Sequence, residues 1–173
     1  MVSTVLGLLL LIVSPQGATQ TDKWGPLRFL LGTWEGTSRG QPGRGTVRRE
    51  YRLVLREQFI EVRHTSTYPA QEKNPKGEVH QDIGYISVDG ARKTFVLRQF
   101  HVEGFVNMYI ARVEDPNHVV FTSEAIENIP AGWRARETYR VLGPDEFIEL
   151  FELAEPGKEF SRYTESRFRR VRS

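Results

Sequence analysis

The four histidines, His64, His80, His101 and His118, are the side chains of this chain with an ordinary pKa nearest neutral. His80 and Asp82 are two residues apart, so in a strand they share a face with Gly84, Ile86 and Val88. His101 shares a face with Phe95, Leu97 and Gln99 in the following strand-like segment. Asp89-Gly90 between them is a hairpin signal. Folding back there sets His101 opposite either His80 or Asp82, according to register. His64, on a face with Ile60 and Val62, belongs to the preceding segment and can join them. Two imidazoles and a carboxylate can hold a metal, and a neutral imidazole can instead orient a ligand by a hydrogen bond. The plainer reading of His80, Asp82 and His101 is a hydrogen-bonded polar patch near a barrel rim, and spacing alone favours it.

Three other positions invite chemistry. Glu137 and Tyr139 lie on a face with Trp133, Ala135 and Val141, and a carboxylate on an apolar face is either paired or functional. The expected partner is Arg98 or Arg162, in a structural ion pair. Tyr163 is the only tyrosine of the last strand-like segment. Trp34 stands between Gly32 and Gly36. It is expected to close a barrel end with its flat ring, with ligand contact as a second role. The basic run Phe168 to Arg172 reads as a solvated strand face. The chain has no Cys, which excludes disulfides and thiolate sites, and it carries no G-x-S-x-G, phosphate-binding loop or H-E-x-x-H. An enzyme is therefore the less favoured class.

The elements that must position these residues are strands. Alternating segments run over Thr33–Arg39, Thr46–Leu55, Gln58–Tyr68, Val79–Val88 and Thr94–Val102. They continue over Phe105–Val113, Val119–Ile126, Trp133–Leu142, Glu146–Leu153 and Glu159–Val171. In Phe105–Val113 the apolar set is Val106, Met108 and Ile110, against Asn107. Gly- and Pro-rich turns punctuate the gaps, and a short helix or turn over Asp22–Leu31 precedes them. About ten sequential strands with short connections predict one all-β domain, an antiparallel up-and-down β-barrel spanning residues 21–173. Closure also removes exposed strand edges.

Residues 1–20 stand apart. Val5 to Val13 is an uncharged apolar run. It is far shorter than the ~20 residues of a membrane span and suits the core of a secretory signal. No Lys or Arg precedes it, and Pro15-Gln16-Gly17-Ala18 is a poor cleavage site. The expectation is a signal peptide over 1–20 and a secreted or periplasmic protein without a stable membrane anchor. Lys and Arg total 24 against 22 Asp and Glu, a net charge of +2, which makes no case for nucleic acid.

The run Gly32-Thr33-Trp34-Glu35-Gly36-Thr37-Ser38-Arg39-Gly40 resembles the G-x-W-x-G-x-G-x-G signature of the nitrobindins, small haem-binding β-barrels of lipocalin-like (calycin) shape. Gly32, Trp34, Gly36 and Gly40 match, and Ser38 departs. The lead-in Leu27-Arg28-Phe29-Leu30-Leu31 and the strand order are similar over residues 24 to 171. The resemblance implies a haem cofactor ligated by a His near the C-terminal strand. This chain has no His after His118, and Tyr163, whose phenolate can ligate iron, is the only candidate there.

The function expected is therefore a barrel that binds a small, partly apolar molecule inside, with Trp34, His64, His80, His101, Tyr139 and Tyr163 as contacts. A haem protein acting on nitrogen oxides or peroxynitrite is the alternative that the resemblance implies. A filled barrel serving as a non-enzymatic interaction module of the cell envelope is a third.

Overall fold

A computed structural model describes residues 22–172, and the expected signal peptide lies outside them. A short 3-10 helix, Gly25–Leu30, leads into ten strands. These are β1 (Gly32–Gly40), β2 (Gly43–Val54), β3 (Phe59–Tyr68), β4 (Glu78–Asp89) and β5 (Thr94–His101). The remainder are β6 (Val106–Asp115), β7 (His118–Glu127), β8 (Arg134–Gly143), β9 (Glu146–Ala154) and β10 (Ser161–Arg170). Each pairs antiparallel with its neighbour in sequence, and β1 pairs β10, which closes the barrel. Every strand predicted from alternation is present, with ends moved by a few residues.

One end of the barrel is plugged. The 3-10 helix lays Leu27 and Leu30 across it, with Trp24 stacked on Phe95 at 5.8 Å. Trp34 is 1% exposed; its indole N–H donates to the Leu30 carbonyl at 2.7 Å and its ring meets Phe147 edge-on at 4.7 Å. The Arg170 guanidinium lies 4.0 Å from the Trp34 ring centre and donates to the carbonyls of Leu31 and Phe29. Helix, tryptophan and last strand are thereby tied together.

The glycines of the opening motif have a steric cause. Trp34, Gly36, Ser38 and Gly40 all fall on the inward face of β1, beside β10. A Cβ on Gly36 would lie 2.0 Å from the Arg167 carbonyl oxygen, and one on Gly40 would lie 2.0 Å from that of Tyr163. Ser38 has room, and its oxygen accepts from Tyr68 at 2.9 Å and Ser166 at 3.0 Å.

One face assignment is inverted. In β6 the inward, buried residues are Asn107, Tyr109 and Ala111, while Val106, Met108 and Ile110 are only half-buried outside. The interior is polar at this level, so hydrophobicity does not mark the inner face.

Candidate functional site

The end opposite the plug opens into a cavity of about 360 Å³. Its two walls differ in chemistry. Phe105, Ile126, Trp133, Phe151 and Leu153 give apolar surface. β3, β4, β5 and β6 give His64, His80, Asp82, Gln99, His101 and Asn107. The hairpin register is settled: Asp82 pairs His101, His64 pairs Asp82 across the next ladder, and Gln99 pairs Asn107. Four strands thus carry one continuous polar patch.

The three histidines are fully engaged. His64 Nδ1 lies 3.1 Å from Asp82 Oδ1, and its Nε2 lies 3.2 Å from the Tyr51 hydroxyl. His80 Nδ1 is 2.8 Å from Glu103 Oε1, and its Nε2 is 3.2 Å from His101 Nδ1. His101 Nε2 lies 3.1 Å from Asn107 Nδ2, and the imidazole stacks on Phe105 at 4.0 Å. Burial lowers the pKa of His64 and takes that of His101 down to about 4, so both rings are neutral at pH 7. Burial also works against a charge on His80, but hydrogen bonds to Asp82 and Glu103 outweigh it and raise its pKa. Asp82 would likewise be raised by burial, yet His64 and His80 hold it well below the ordinary value.

Arg49, Glu137 and Glu149 form a second polar layer at the cavity floor. Tyr139 donates to Glu137 Oε2 at 2.6 Å. Burial first, and the charge of Glu149 second, raise Glu137 to about 8, so it carries a proton at neutral pH. Arg49 grips Glu149 with two nitrogens at 3.1 and 3.3 Å, both side chains 7% exposed. Burial opposes the charge on Arg49, but Glu149 outweighs it and keeps the guanidinium protonated. The ion pair expected between Glu137 and Arg98 or Arg162 does not form. Both arginines are exposed, and neutral Glu137 has Tyr139 instead.

Of the expected contact residues, His64, His80, His101 and Tyr163 line the cavity. Trp34 does not: it closes the far end. Tyr139 does not either: it is 2% exposed, below the floor, and its ring tilts against Phe147. Tyr163 sits at an irregularity between Arg162 and Thr164, where the β10–β9 pairing slips. Its ring meets Phe151 edge-on at 5.8 Å, and its carbonyl accepts from Gln41 N at 2.8 Å.

Two residues that sequence reasoning passed over are the most telling. Gln99 and Asn107 are each 2% exposed, and their carbonyl oxygens Oε1 and Oδ1 have no partner. Buried acceptors are rarely left so. A Gln on the face of Phe95 and Leu97 was a visible signal; the matching signal for Asn107 was hidden by the inverted face of β6.

A family model described as "THAP4-like, heme-binding beta-barrel domain" matches residues 23–170. Among solved structures, Rv2717c from M. tuberculosis is similar with a TM-score of 0.63 at 17% identity, over 87% of this chain and 98% of that one. A de novo designed fluorescence-activating β-barrel is similar at a TM-score of 0.41 and 19% identity, over 85% of this chain and 98% of that one. No curated protein matches. At 17% identity the likeness to Rv2717c speaks for the fold alone.

Proposed function

The chain belongs to the THAP4-like, heme-binding β-barrel domain family, the nitrobindin-like barrels, and from that premise we propose that it binds a small, partly apolar, non-haem molecule in the cavity at its open end. The observation that carries this reading is the cavity itself, with Gln99, Asn107 and the histidines on one side and apolar side chains on the other. The polar side offers hydrogen-bonding groups to a ligand. Facing apolar side chains ask for a hydrocarbon part. The volume of about 360 Å³ is at the small end of ordinary ligand pockets, and it supports binding over a filled interaction module.

Haem fits these residues poorly. The imidazole that the resemblance implies is missing from β10, which offers Tyr163. Burial, then the neighbouring Glu78, Tyr68 and Glu103, raise the pKa of that phenol and oppose the phenolate that iron would need. His64, His80 and His101 stand on β3, β4 and β5, not on the last strand where the resemblance puts the haem ligand. No reaction step through haem is therefore derived.

The reading is tested with an environment-sensitive apolar fluorophore, anilinonaphthalene sulfonate, titrated into the folded protein. Saturable binding of one probe per chain is expected, and it should be lost in Leu153→Trp, which fills the cavity. A wild type that shows no saturable binding contradicts the proposal.

We also propose that residues 1–20 direct export, on the strength of the apolar run Val5 to Val13. Mass spectrometry of protein from its native cell should find the chain starting near Thr19 to Asp22. An intact Met1 or Val2 in cytoplasmic protein contradicts it.

A further inference from the structure

We propose that His80 Nε2, His101 Nδ1 and Asp82 Oδ2 hold a divalent first-row transition metal, of the zinc or iron(II) kind, at the polar wall of the cavity. Metal binding here needs no organic ligand, so the inference goes beyond the reading above and does not depend on it. The three donor atoms lie within 4.8 Å of one another. His80 Nε2 is 3.2 Å from His101 Nδ1 and 3.5 Å from Asp82 Oδ2. A tetrahedral ion with bonds of about 2.0–2.1 Å holds its ligands about 3.3–3.4 Å apart. Two of the three donor–donor edges are thus already close to that spacing, and the third is within 4.8 Å. Two imidazoles and one carboxylate match the donor preference of zinc and of non-haem iron(II).

The supporting atoms are arranged as a metal site requires. Asp82 Oδ1 is occupied by His64 Nδ1 at 3.1 Å and Gln99 Nε2 at 2.8 Å, which orients Oδ2 toward His80. The far nitrogen of His80 faces the Glu103 carboxylate at 2.8 Å, the outer-shell contact that fixes a ligating tautomer. When His101 ligates through Nδ1, its Nε2 carries a proton and needs an acceptor. Asn107 is 3.1 Å away and has an unpartnered Oδ1; a half-turn of its amide supplies that acceptor. Asp82 and His101 are direct cross-strand partners, and His80 is two residues along β4, so the donors stand on paired strands and not on loops. Three protein donors leave at least one position, on the cavity side, for water or an anionic or carbonyl group of a ligand.

The test is calorimetric titration of Zn²⁺ into the chelator-stripped, folded protein, repeated with Co²⁺ and read by its visible d–d bands. One ion per chain is expected. His80→Ala and His101→Ala should each abolish stoichiometric binding, whereas His118→Ala, at the plugged end of the barrel, should leave it intact. Glu103→Gln should keep one site but weaken it by about 10–100-fold. Circular dichroism establishes that each variant is folded. His80, with its side chain 28% exposed, is the substitution that leaves the barrel intact should His101→Ala fail to fold. A wild type without stoichiometric binding overturns the proposal. So does binding that survives His80→Ala, or that His118→Ala removes equally.

Discussion

Tyr139 donates a 2.6 Å hydrogen bond to Glu137 at the bottom of the barrel cavity, and the acceptor is a carboxyl group that keeps its proton at neutral pH. Arg49 and Tyr51 from β2, Asp82 from β4, Tyr109 from β6 and Glu149 from β9 share this interior. The only cation among them is already held by Glu149. Glu137 is therefore neutral because burial and a nearby carboxylate both penalise its charge.

That protonation makes stability depend on pH. The folded pKa of Glu137 is raised from 4.5 to about 8, so the folded state holds a proton that the unfolded chain releases earlier. The contribution is fully present below about pH 4.5 and is lost as pH rises to about 8. Glu137→Gln keeps a neutral acceptor for Tyr139 and removes the titration. Its urea midpoint, relative to wild type, should climb between those two limits. Parallel pH profiles for the two proteins would show that Glu137 is ionised in the fold.

Trp34 joins the 3-10 helix, β9 and β10 through Leu30, Phe147 and Arg170. Trp34→Ala removes the ring and leaves a void at the plugged end. It should cost about 3–5 kcal/mol by urea denaturation, without altering probe binding at the open end. An unchanged midpoint contradicts the assigned role.

The Arg49–Glu149 pair bridges strands that are not neighbours, and both side chains are buried. Arg49→Met leaves a buried carboxylate alone and should cost about 3–5 kcal/mol. Arg49→Met with Glu149→Leu should regain most of that loss, because a well-packed apolar pair is a fair exchange for a desolvated ion pair. A double variant as unstable as the single one, measured by the same denaturation, would contradict this.

The barrel was legible in the sequence because most strands are bounded by a turn signal: Asp89-Gly90 after β4, Pro116-Asn117 after β6, Pro144-Asp145 after β8. The placing of Trp34 followed from its flanking glycines, and Gly36 and Gly40 proved to be demanded by the close β10 backbone. The histidine patch was legible as two alternative registers, of which the structure has Asp82 opposite His101. Other features were hidden for a physical reason. Alternation identifies an inner face only where that face is apolar, and around the cavity it is not. So β6 read inside out, and Asn107 was missed. The Arg49–Glu149 pair spans the barrel interior between residues 100 positions apart, a relation that no local pattern encodes. Tyr163 was noticed by its residue type, but the pairing irregularity beside it is a property of the ladder.

The central claim, a ligand cavity whose residues do not serve haem in the family's manner, is tested most directly by titrating haemin into the purified protein and following the Soret band. The account predicts a broad, unsaturable change that survives Tyr163→Phe and the His64, His80 and His101 to Ala substitutions. A sharp shift that saturates at one haemin per chain, and that any one of these four substitutions abolishes, would contradict it.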